Sequence, residues 1–357
     1  MEDRELQGRS GAGLEGLDLE GLKRKFQEDG YICGEDVLVP VYLALKLGKP
    51  LLVEGEPGVG KTEIAKVLSR VFSTELIRLQ CYEGLDENKA LYEWNYQRQL
   101  LKIQLSREQG PGAVEESDLF SEEYLLERPL LRALRAPRRP VLLIDEVDKC
   151  DEEFEAFLFE VLSDFQVSVP ELGTIAARQV PVVVLTSNRA RELSDGLKRR
   201  CIFLYIDFPS LDKELKIIES RVPGISRELA LEVARAMQHL RSRMDFRKKP
   251  SVAETLDWAR ALMALGSRRL TPSLVERTLS LVLKNKEDLD AFHQGLGAAA
   301  LIQAAAGPDA AATMAEAPGA GPEAGAGGHP AGSRVEGRGG AAGSRPTGGS
   351  PGGKARG

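Results

Sequence analysis

One short segment of the sequence has the composition of a phosphate-binding loop. The pattern G-x-x-x-x-G-K-[ST] is met by Gly55-Glu56-Pro57-Gly58-Val59-Gly60-Lys61-Thr62, and Glu63 follows directly. Glycines let the backbone take positive φ and approach phosphate oxygens with no Cβ in the way, so successive N–H groups can form an anion site. Lys61 would neutralise the β- and γ-phosphates, and the Thr62 hydroxyl would ligate Mg²⁺. The segment predicts a site for a nucleoside triphosphate.

The residues around this loop support that interpretation. An apolar run at 50–54 precedes it, and 62–72 has the apolar spacing of a helix face. The loop would therefore lie at the N-terminus of a helix, where backbone N–H groups attract anions. The alternative is a glycine-rich turn with a coincidental lysine, which the flanking strand and helix disfavour.

A second apolar run ends in two acids. Residues 141–144 read Val-Leu-Leu-Ile and are followed by Asp145 and Glu146. Ligands of open parallel sheets bind beyond the carboxyl ends of the strands. Asp145 would then face Mg²⁺ bound near Thr62, through a water, and Glu146 would orient the water that attacks the γ-phosphate. The alternative is an acidic surface turn, which the phosphate-binding loop upstream disfavours.

Two further positions bear on the nucleotide. Asn188 follows the run at 180–186 and could help to hold the attacking water, although Ser-Asn after a strand is also typical of a turn. The pair Asn88-Lys89 has Leu91, not an aspartate, two residues on, so it lacks the carboxylate of a guanine-reading loop. ATP is therefore favoured.

The apolar runs and helical patterns divide the chain into parts. Near-continuous apolar runs separated by helical patterns are typical of buried parallel strands, and they lie at 50–54, 76–81, 141–145, 180–186 and 202–206. After Pro209 helical spacing takes over, at 211–220, 228–243, 252–265 and 273–283. Ser251 and Glu254 form a capping box that opens the third of these helices. We predict a P-loop α/β core with a five-stranded parallel sheet at 17–208 and a small all-α lid domain at 209–292.

Both ends of the chain differ from this body. Residues 1–16 form a polar leader with no apolar signal-peptide core. From Gly307 onward, 34 of 51 positions are Gly, Ala or Pro. Such a segment cannot bury enough apolar surface to offset its chain entropy. We therefore predict a disordered, low-complexity tail at 293–357.

Charge and cysteine usage exclude several classes of protein. The formal net charge is −6, which argues against a protein that coats nucleic acid. The four cysteines are far apart, so neither a disulfide scaffold nor a zinc site is indicated, and reduced thiols in a cytoplasmic protein are the simplest interpretation. No apolar run reaches the roughly 18 residues that a transmembrane helix needs.

Several of these segments together resemble the MoxR family of AAA+ ATPases. They are LLVEGEPGVGKTEIAK, VLLIDEVDKCDEEFEAFLFEVLSDFQVSVPELGTI, VVVLTSNRARELSDGLKRRCIFLYIDFP and RKKPSVAETLDWARAL. They look most similar to the CoxD-like subgroup, which is encoded beside carbon monoxide dehydrogenase. The resemblance covers roughly 17–292.

The resemblance implies roles for particular residues. Lys61 and Thr62 match the Walker A positions, Asp145 and Glu146 match Walker B, and Asn188 matches sensor 1. Arg200, with Arg199 beside it, lies where the family carries an arginine finger that acts on ATP in a neighbouring subunit. A guanidinium there would stabilise transition-state charge. A solvated basic run is the alternative suggested by composition alone.

Two segments add detail to the resemblance. Residues 165–175 alternate like a hairpin, which in the family lies near the ring pore; an ordinary edge hairpin is the alternative. The family's sensor 2 arginine follows a proline, but here Ser251 follows Pro250. Lys248 or Lys249 would have to reach the γ-phosphate instead, unless sensor 2 is absent or this is a solvated basic turn.

The expected function is ATP hydrolysis coupled to remodelling of a protein client. The resemblance implies a homo-oligomeric ring, usually a hexamer, a separate partner with a von Willebrand factor A domain, and a metalloenzyme client such as carbon monoxide dehydrogenase. No nucleic-acid partner is expected. The alternatives are a DNA-acting AAA+ motor or loader and a non-hydrolysing, nucleotide-dependent scaffold.

Overall fold

Parallel strands form the central sheet of the protein, which is described here by a computed structural model that covers residues 16–107, 119–170 and 172–315. The strands of these residues are β1 (Leu51–Gly55), β2 (Leu76–Gln80), β3 (Tyr92–Trp94), β4 (Leu125–Glu127), β5 (Val141–Asp145), β6 (Gln166–Val169), β7 (Gly173–Ala176), β8 (Val182–Ser187) and β9 (Ile202–Ile206). The main sheet has the order β2-β5-β8-β1-β9, and each neighbouring pair is parallel. The predicted five-stranded parallel sheet is confirmed.

Helices precede, connect and follow these strands. They are α1 (Leu19–Glu28), α2 (Glu35–Leu47), α3 (Lys61–Val71), α4 (Glu87–Ala90), α5 (Tyr96–Arg107), α6 (Pro129–Arg135), α7 (Glu152–Asp164), α8 (Asp195–Arg200), α9 (Leu211–Arg221), α10 (Arg227–Arg243), α11 (Val252–Ala264), α12 (Pro272–Thr278), α13 (Lys286–Gly295) and α14 (Gly297–Ala315). Every regular element described after β9 is helical. All of these elements, apart from the last two residues of α14, belong to one compact unit that ends at Thr313.

The main sheet is covered on both faces, which explains its apolar strands. On β5, Leu142 and Ile144 belong to the apolar cluster that includes α6 and α7, whereas Val141 and Leu143 belong to the cluster that includes α1, α2 and α3. Successive strand residues point to opposite faces. Because both faces are buried, the first four residues of β5 are apolar, and only its last residue, Asp145, is polar.

Two antiparallel pairs lie outside the main sheet. β3 pairs with β4, and Trp94 of β3 is buried against Phe120 with the rings edge to face at 5.3 Å. β6 pairs with β7, so the predicted hairpin is confirmed. Glu171 lies outside the described residues.

The helices after β9 share an apolar core of their own. Trp258 of α11 is fully buried there, and its Nε1 donates a hydrogen bond to Thr278 Oγ1 at 2.7 Å. A buried ion pair joins α9 to α10: both Arg241 guanidinium NH groups donate to the Glu214 carboxylate, at 2.7 and 2.8 Å. A buried ion pair is stable only when its remaining polar atoms are hydrogen-bonded as well. Thr255 Oγ1 provides one such bond, donating to the Glu214 carboxylate at 2.7 Å.

The predicted start of the tail at residue 293 is wrong. α13 ends at Gly295, and α14 follows with a kink at Gly307. Ala298, Leu301 and Ala305 are buried in the helical core. The composition argument applied only from Gly307 onward, and residues 293–306 were added to the tail although their alanines have high helix propensity. The rest of the predicted tail, 316–357, and residues 1–15 of the predicted leader lie outside the described residues. The predicted boundary at 208–209 stays a prediction.

A helix that crosses a membrane must be both long and apolar. None of the helices in the described part of the chain is both long and apolar enough to cross a bilayer.

Candidate functional site

The loop between β1 and α3 depends on its glycines. Gly58 and Gly60 have φ of +78° and +98°, in the left-handed region that favours glycine. A Cβ on Gly55 would lie 2.2 Å from the Ile206 carbonyl oxygen, and a Cβ on Gly58 would lie 2.3 Å from Ser251 Oγ. The loop therefore needs glycine both for its backbone conformation and for its contacts with β9's end and α11's start.

Lys61 is buried although it carries an ammonium group. It is 6% exposed, and its Nζ donates to the carbonyl oxygens of Gly55 at 2.7 Å and Glu56 at 2.8 Å. Burial lowers the pKa of Lys61, and nearby carboxylates oppose that shift: Asp148, Glu56, Asp145 and Glu146. The lysine of the loop and the acids that follow β5 therefore belong to one electrostatic site.

A threonine on β8 fixes the two acids at the end of β5. Thr186 Oγ1 donates to Asp145 Oδ1 at 2.5 Å and accepts from the Glu146 backbone N–H at 2.9 Å. Glu146 itself has a left-handed backbone, with φ of +58°. Such strain in a residue other than glycine is typical of functional sites. Thr186 therefore holds the side chain of Asp145 but only the backbone of Glu146, whose carboxylate is left for other contacts.

Glu146 accepts hydrogen bonds from three side chains. Asn188 Nδ2 donates to Oε1 at 3.2 Å, while Lys149 Nζ and Gln80 Nε2 donate to Oε2 at 2.6 and 2.9 Å. The Lys149 hydrogen bond is the main reason that the pKa of Glu146 lies below its ordinary value. The carboxylate is therefore ionised near neutral pH, as a base that orients water must be.

Asp145 is paired with an arginine that the sequence did not single out. Arg78 of β2 donates from Nε to Asp145 Oδ2 at 3.1 Å and from a terminal NH to the same oxygen. Gln80, which contacts Glu146, lies two residues along β2 and hence on the same face of the strand. β2 thus supplies one side chain to each acid.

A cleft of about 300 Å³ leads from the loop to the helical region. Gly58, Val59, Gly60 and Glu63 line its loop side. Residues 30–32, Val37 of α2, the segment from Ile206 to Pro209, and residues of α9 and α11 line the rest. Its size and partly apolar lining suit a nucleotide base and ribose next to the phosphate-binding loop.

Arg199, Arg200, Lys248 and Lys249, which the sequence suggested as contacts to the γ-phosphate, are not among the residues that line this cleft. Arg199 and Arg200 are exposed at the end of α8, and the Arg200 guanidinium lies over the Phe159 ring at 4.1 Å. Lys248 lies 4.0 Å from Glu254, and Lys249 is exposed. Neither lysine is among the residues that line the cleft.

Other cations reach the cleft from the helical region. They are Lys213 and Arg221 of α9 and Arg260 of α11. Arg221 also donates to Glu63 Oε1 at 3.1 Å. Sequence reasoning missed them because it searched only the residues next to Pro250. Helical spacing could have found Arg260, since 252, 256 and 260 share one face of α11 and all three line the cleft.

Comparison with protein families agrees with this geometry. Residues 50–201 match the model of the AAA domain (dynein-related subfamily). The α/β core therefore has the P-loop AAA fold. An AAA domain binds and hydrolyses nucleotides, and the matched segment includes the phosphate-binding loop, both acids after β5, Asn188 and Arg200.

The relatives that match a larger part of the chain are distant. The Holliday junction branch migration complex subunit RuvB of Thermotoga maritima is 23% identical over 278 residues, which are 74% of this chain and 71% of the relative. The gas vesicle ATPase GvpN of Haloferax mediterranei is 24% identical over 212 residues, 56% of this chain and 59% of the relative. A solved structure of the T. maritima RuvB branch migration motor is 19% identical, with a TM-score of 0.45, covering 75% of this chain and 76% of that one.

Proposed function

We propose that the protein is a Mg²⁺-dependent ATPase that uses hydrolysis to remodel a protein client. The observation that carries the hydrolytic part is the contact between Asn188 Nδ2 and Glu146 Oε1, within the electrostatic site of the buried Lys61. An amide beside an ionised carboxylate can orient and activate a water for attack on the γ-phosphate. This arrangement disfavours a non-hydrolysing scaffold.

Mg²⁺ fits the donor atoms of the site. Thr62 offers a hydroxyl and Asp145 a carboxylate, and Mg²⁺ prefers such oxygen ligands while keeping several waters and substrate phosphates. Because Thr186 and Arg78 already contact the Asp145 carboxylate, a contact through water suits Asp145 better than direct coordination. Bound there, Mg²⁺ would neutralise charge that develops on the phosphates.

The exposed arginines support an oligomeric ring. Arg200 and Arg199 are exposed at the end of α8, a position that suits contact with a nucleotide held by a neighbouring copy. A neighbouring copy supplies such a nucleotide if the subunits form a closed ring, for which we propose the hexamer that the MoxR resemblance implies.

An exposed apolar helix favours a protein client over DNA. Four large apolar side chains of α5 are 53–60% exposed: Tyr96, Leu100, Leu101 and Leu105. The polar Gln99 of the same helix is buried instead, and its Nε2 donates to the Leu119 carbonyl oxygen at 2.6 Å. Large exposed apolar patches mark contacts with other proteins, whereas DNA binding relies mainly on cations.

The finer assignment rests on the resemblance to MoxR proteins. We propose a cytoplasmic protein of the CoxD-like kind, with a partner that carries a von Willebrand factor A domain. Its client would be a metalloenzyme under maturation, such as carbon monoxide dehydrogenase. The test is capture by the Glu146→Gln variant in the presence of ATP and Mg²⁺. Specific retention of molybdenum hydroxylase subunits, lost in Lys61→Ala, supports the assignment; equal retention by both variants contradicts it.

DNA processing is the second candidate because a relative suggests it. RuvB, which matches 74% of this chain, belongs to a Holliday junction branch migration complex. The measurement is ATP turnover with and without four-way junction DNA at several salt concentrations. Stimulation that falls steeply with salt would favour a DNA motor. Unchanged turnover would leave the protein client as the better proposal.

A further inference from the structure

Asp148 is a buried carboxylate that the proposed reaction does not use. It lies in the 3₁₀ turn Val147–Lys149 after β5 and is 3% exposed. Its Oδ2 accepts two backbone hydrogen bonds from the loop after β8, from Asn188 N–H at 3.1 Å and Ala190 N–H at 2.7 Å. A buried carboxylate needs such compensation, and because Oδ1 has no hydrogen-bond partner among the described residues, both hydrogen bonds come from that one loop.

The residue between the two donors is strained. Arg189 has φ of +59°, a conformation that is unfavourable for a residue other than glycine. Its own N–H donates to Ser187 Oγ at 3.0 Å, so the turn is fixed from within as well. The left-handed residue points the amides on either side of it at one carboxylate oxygen. Hydrogen bonds to a charged acceptor are among the stronger ones in proteins, so Asp148 offsets the strain.

The same turn determines the direction of the Asn188 side chain. Asn188 donates its backbone N–H to Asp148 and its side-chain Nδ2 to Glu146 Oε1. Asp148 and Glu146 are two residues apart in the segment that follows β5. Asn188 is therefore bound to this segment through both its backbone and its side chain. If the turn relaxed, the amide would lose its place beside the carboxylate.

We propose that Asp148 is a positioning residue for hydrolysis, which holds the strained turn at Arg189 so that the Asn188 amide stays beside Glu146. The inference rests on the proposed function, in which Glu146 and Asn188 act on the attacking water. Asp148 touches neither of the reacting groups and acts through Asn188.

The test is the kcat and the ATP affinity of a set of variants. Asp148→Ala should lower kcat about 10- to 100-fold, the range that the strain implies. Because the Asp148 charge also acts on Lys61, any change in ATP affinity should be shared by Asp148→Asn, which lacks the charge but keeps an acceptor oxygen. Asp148→Asn should retain most of kcat because its carboxamide oxygen can accept the same two hydrogen bonds. Asp151→Ala is the matched control: Asp151 caps α7 through Phe154 N–H at 2.8 Å, so kcat should stay within about twofold.

A suppressor distinguishes positioning from a purely structural role. Glycine adopts the left-handed conformation without strain, so Arg189→Gly should restore kcat at least about fivefold in the Asp148→Ala background. In an Asn188→Ala background, Asp148→Ala should cause no further loss, since both act through one contact. If Asp148→Ala does not fold, Asp148→Glu, which displaces the carboxylate by one methylene, should show the same loss and the same rescue.

Different outcomes would overturn different claims. Folded Asp148→Ala or Asp148→Glu with the kcat of the wild type, or a loss that Arg189→Gly does not restore, overturns the positioning role. Wild-type turnover in both Glu146→Gln and Asn188→Ala overturns the proposed hydrolytic site itself.

Discussion

Asn188 Nδ2 lies 3.2 Å from Glu146 Oε1 and joins the polar ends of two adjacent parallel strands, β8 and β5. The two residues are 42 positions apart in sequence, so only the pairing of their strands brings them together. Because β8 also pairs with β1, the same strand connects the acids to the phosphate-binding loop. With Gln80 at the end of β2, the site is thus assembled from the ends of four neighbouring strands of one sheet.

The pH dependence of hydrolysis should respond to Lys149. Its hydrogen bond to Glu146 Oε2 is the main cause of the lowered pKa of Glu146. A lowered carboxyl pKa keeps the base ionised as pH falls, so loss of the Lys149 hydrogen bond should shift the pH profile in one direction only. In Lys149→Ala the pKa of Glu146 should rise, and the acid limb of the kcat profile should move to higher pH. Lys89→Ala removes an exposed pair with Asp86 and should leave the profile unchanged. An unmoved acid limb in Lys149→Ala would contradict this electrostatic role.

The phosphate-binding loop offers a test with a matched glycine. Gly58→Ala places a Cβ 2.3 Å from Ser251 Oγ, so the loop or the start of α11 must move. We expect ATP affinity to fall at least about tenfold, as measured by titration with a fluorescent ATP analogue. Gly84 has the same φ of +78° but nothing within 4 Å of an added Cβ. Gly84→Ala therefore carries similar strain, yet its ATP affinity should stay within about twofold of the wild type. Equal affinities in the two variants would argue against a nucleotide site at this loop.

The subunit-sharing proposal predicts complementation. Arg200→Ala should keep ATP affinity but lower kcat, by about 10³-fold if the guanidinium contacts transition-state charge. Lys198→Ala, on the same helix, should have little effect. Mixing Arg200→Ala with Glu146→Gln should recover activity, because each variant supplies the group that the other lacks. A mixture no more active than its components, or full activity of dilute monomeric wild type, would show that the finger is not shared.

Local patterns predicted the parts of the site that lie in continuous segments. The glycine spacing of 55–62 and the polar end of an apolar run at 145–146 are readable because each motif follows a strand that is buried on both faces. The sheet order β2-β5-β8-β1-β9 was not predicted, since it depends on pairing between residues distant in sequence.

The residues that were missed act through that long-range pairing. Arg78 and Gln80 look like ordinary polar positions of a strand until β2 pairs with β5 and brings Gln80 opposite Asp145. Asp148 looks like one acid of an exposed turn until the loop after β8 buries it. The helix α14 was missed for another reason: composition alone does not show that Leu301 has a core to join.

The central claim is that Glu146 activates water at an ATP site built around Lys61. The most direct test measures ATP binding and single-turnover hydrolysis of Glu146→Gln side by side, with Lys61→Ala as the variant that should not bind. We expect Glu146→Gln to bind ATP like the wild type and to hydrolyse it at least about 100-fold more slowly, because the amide retains the shape of the carboxylate without its basicity. Hydrolysis by Glu146→Gln at the wild-type rate, or full ATP affinity in Lys61→Ala, would contradict it.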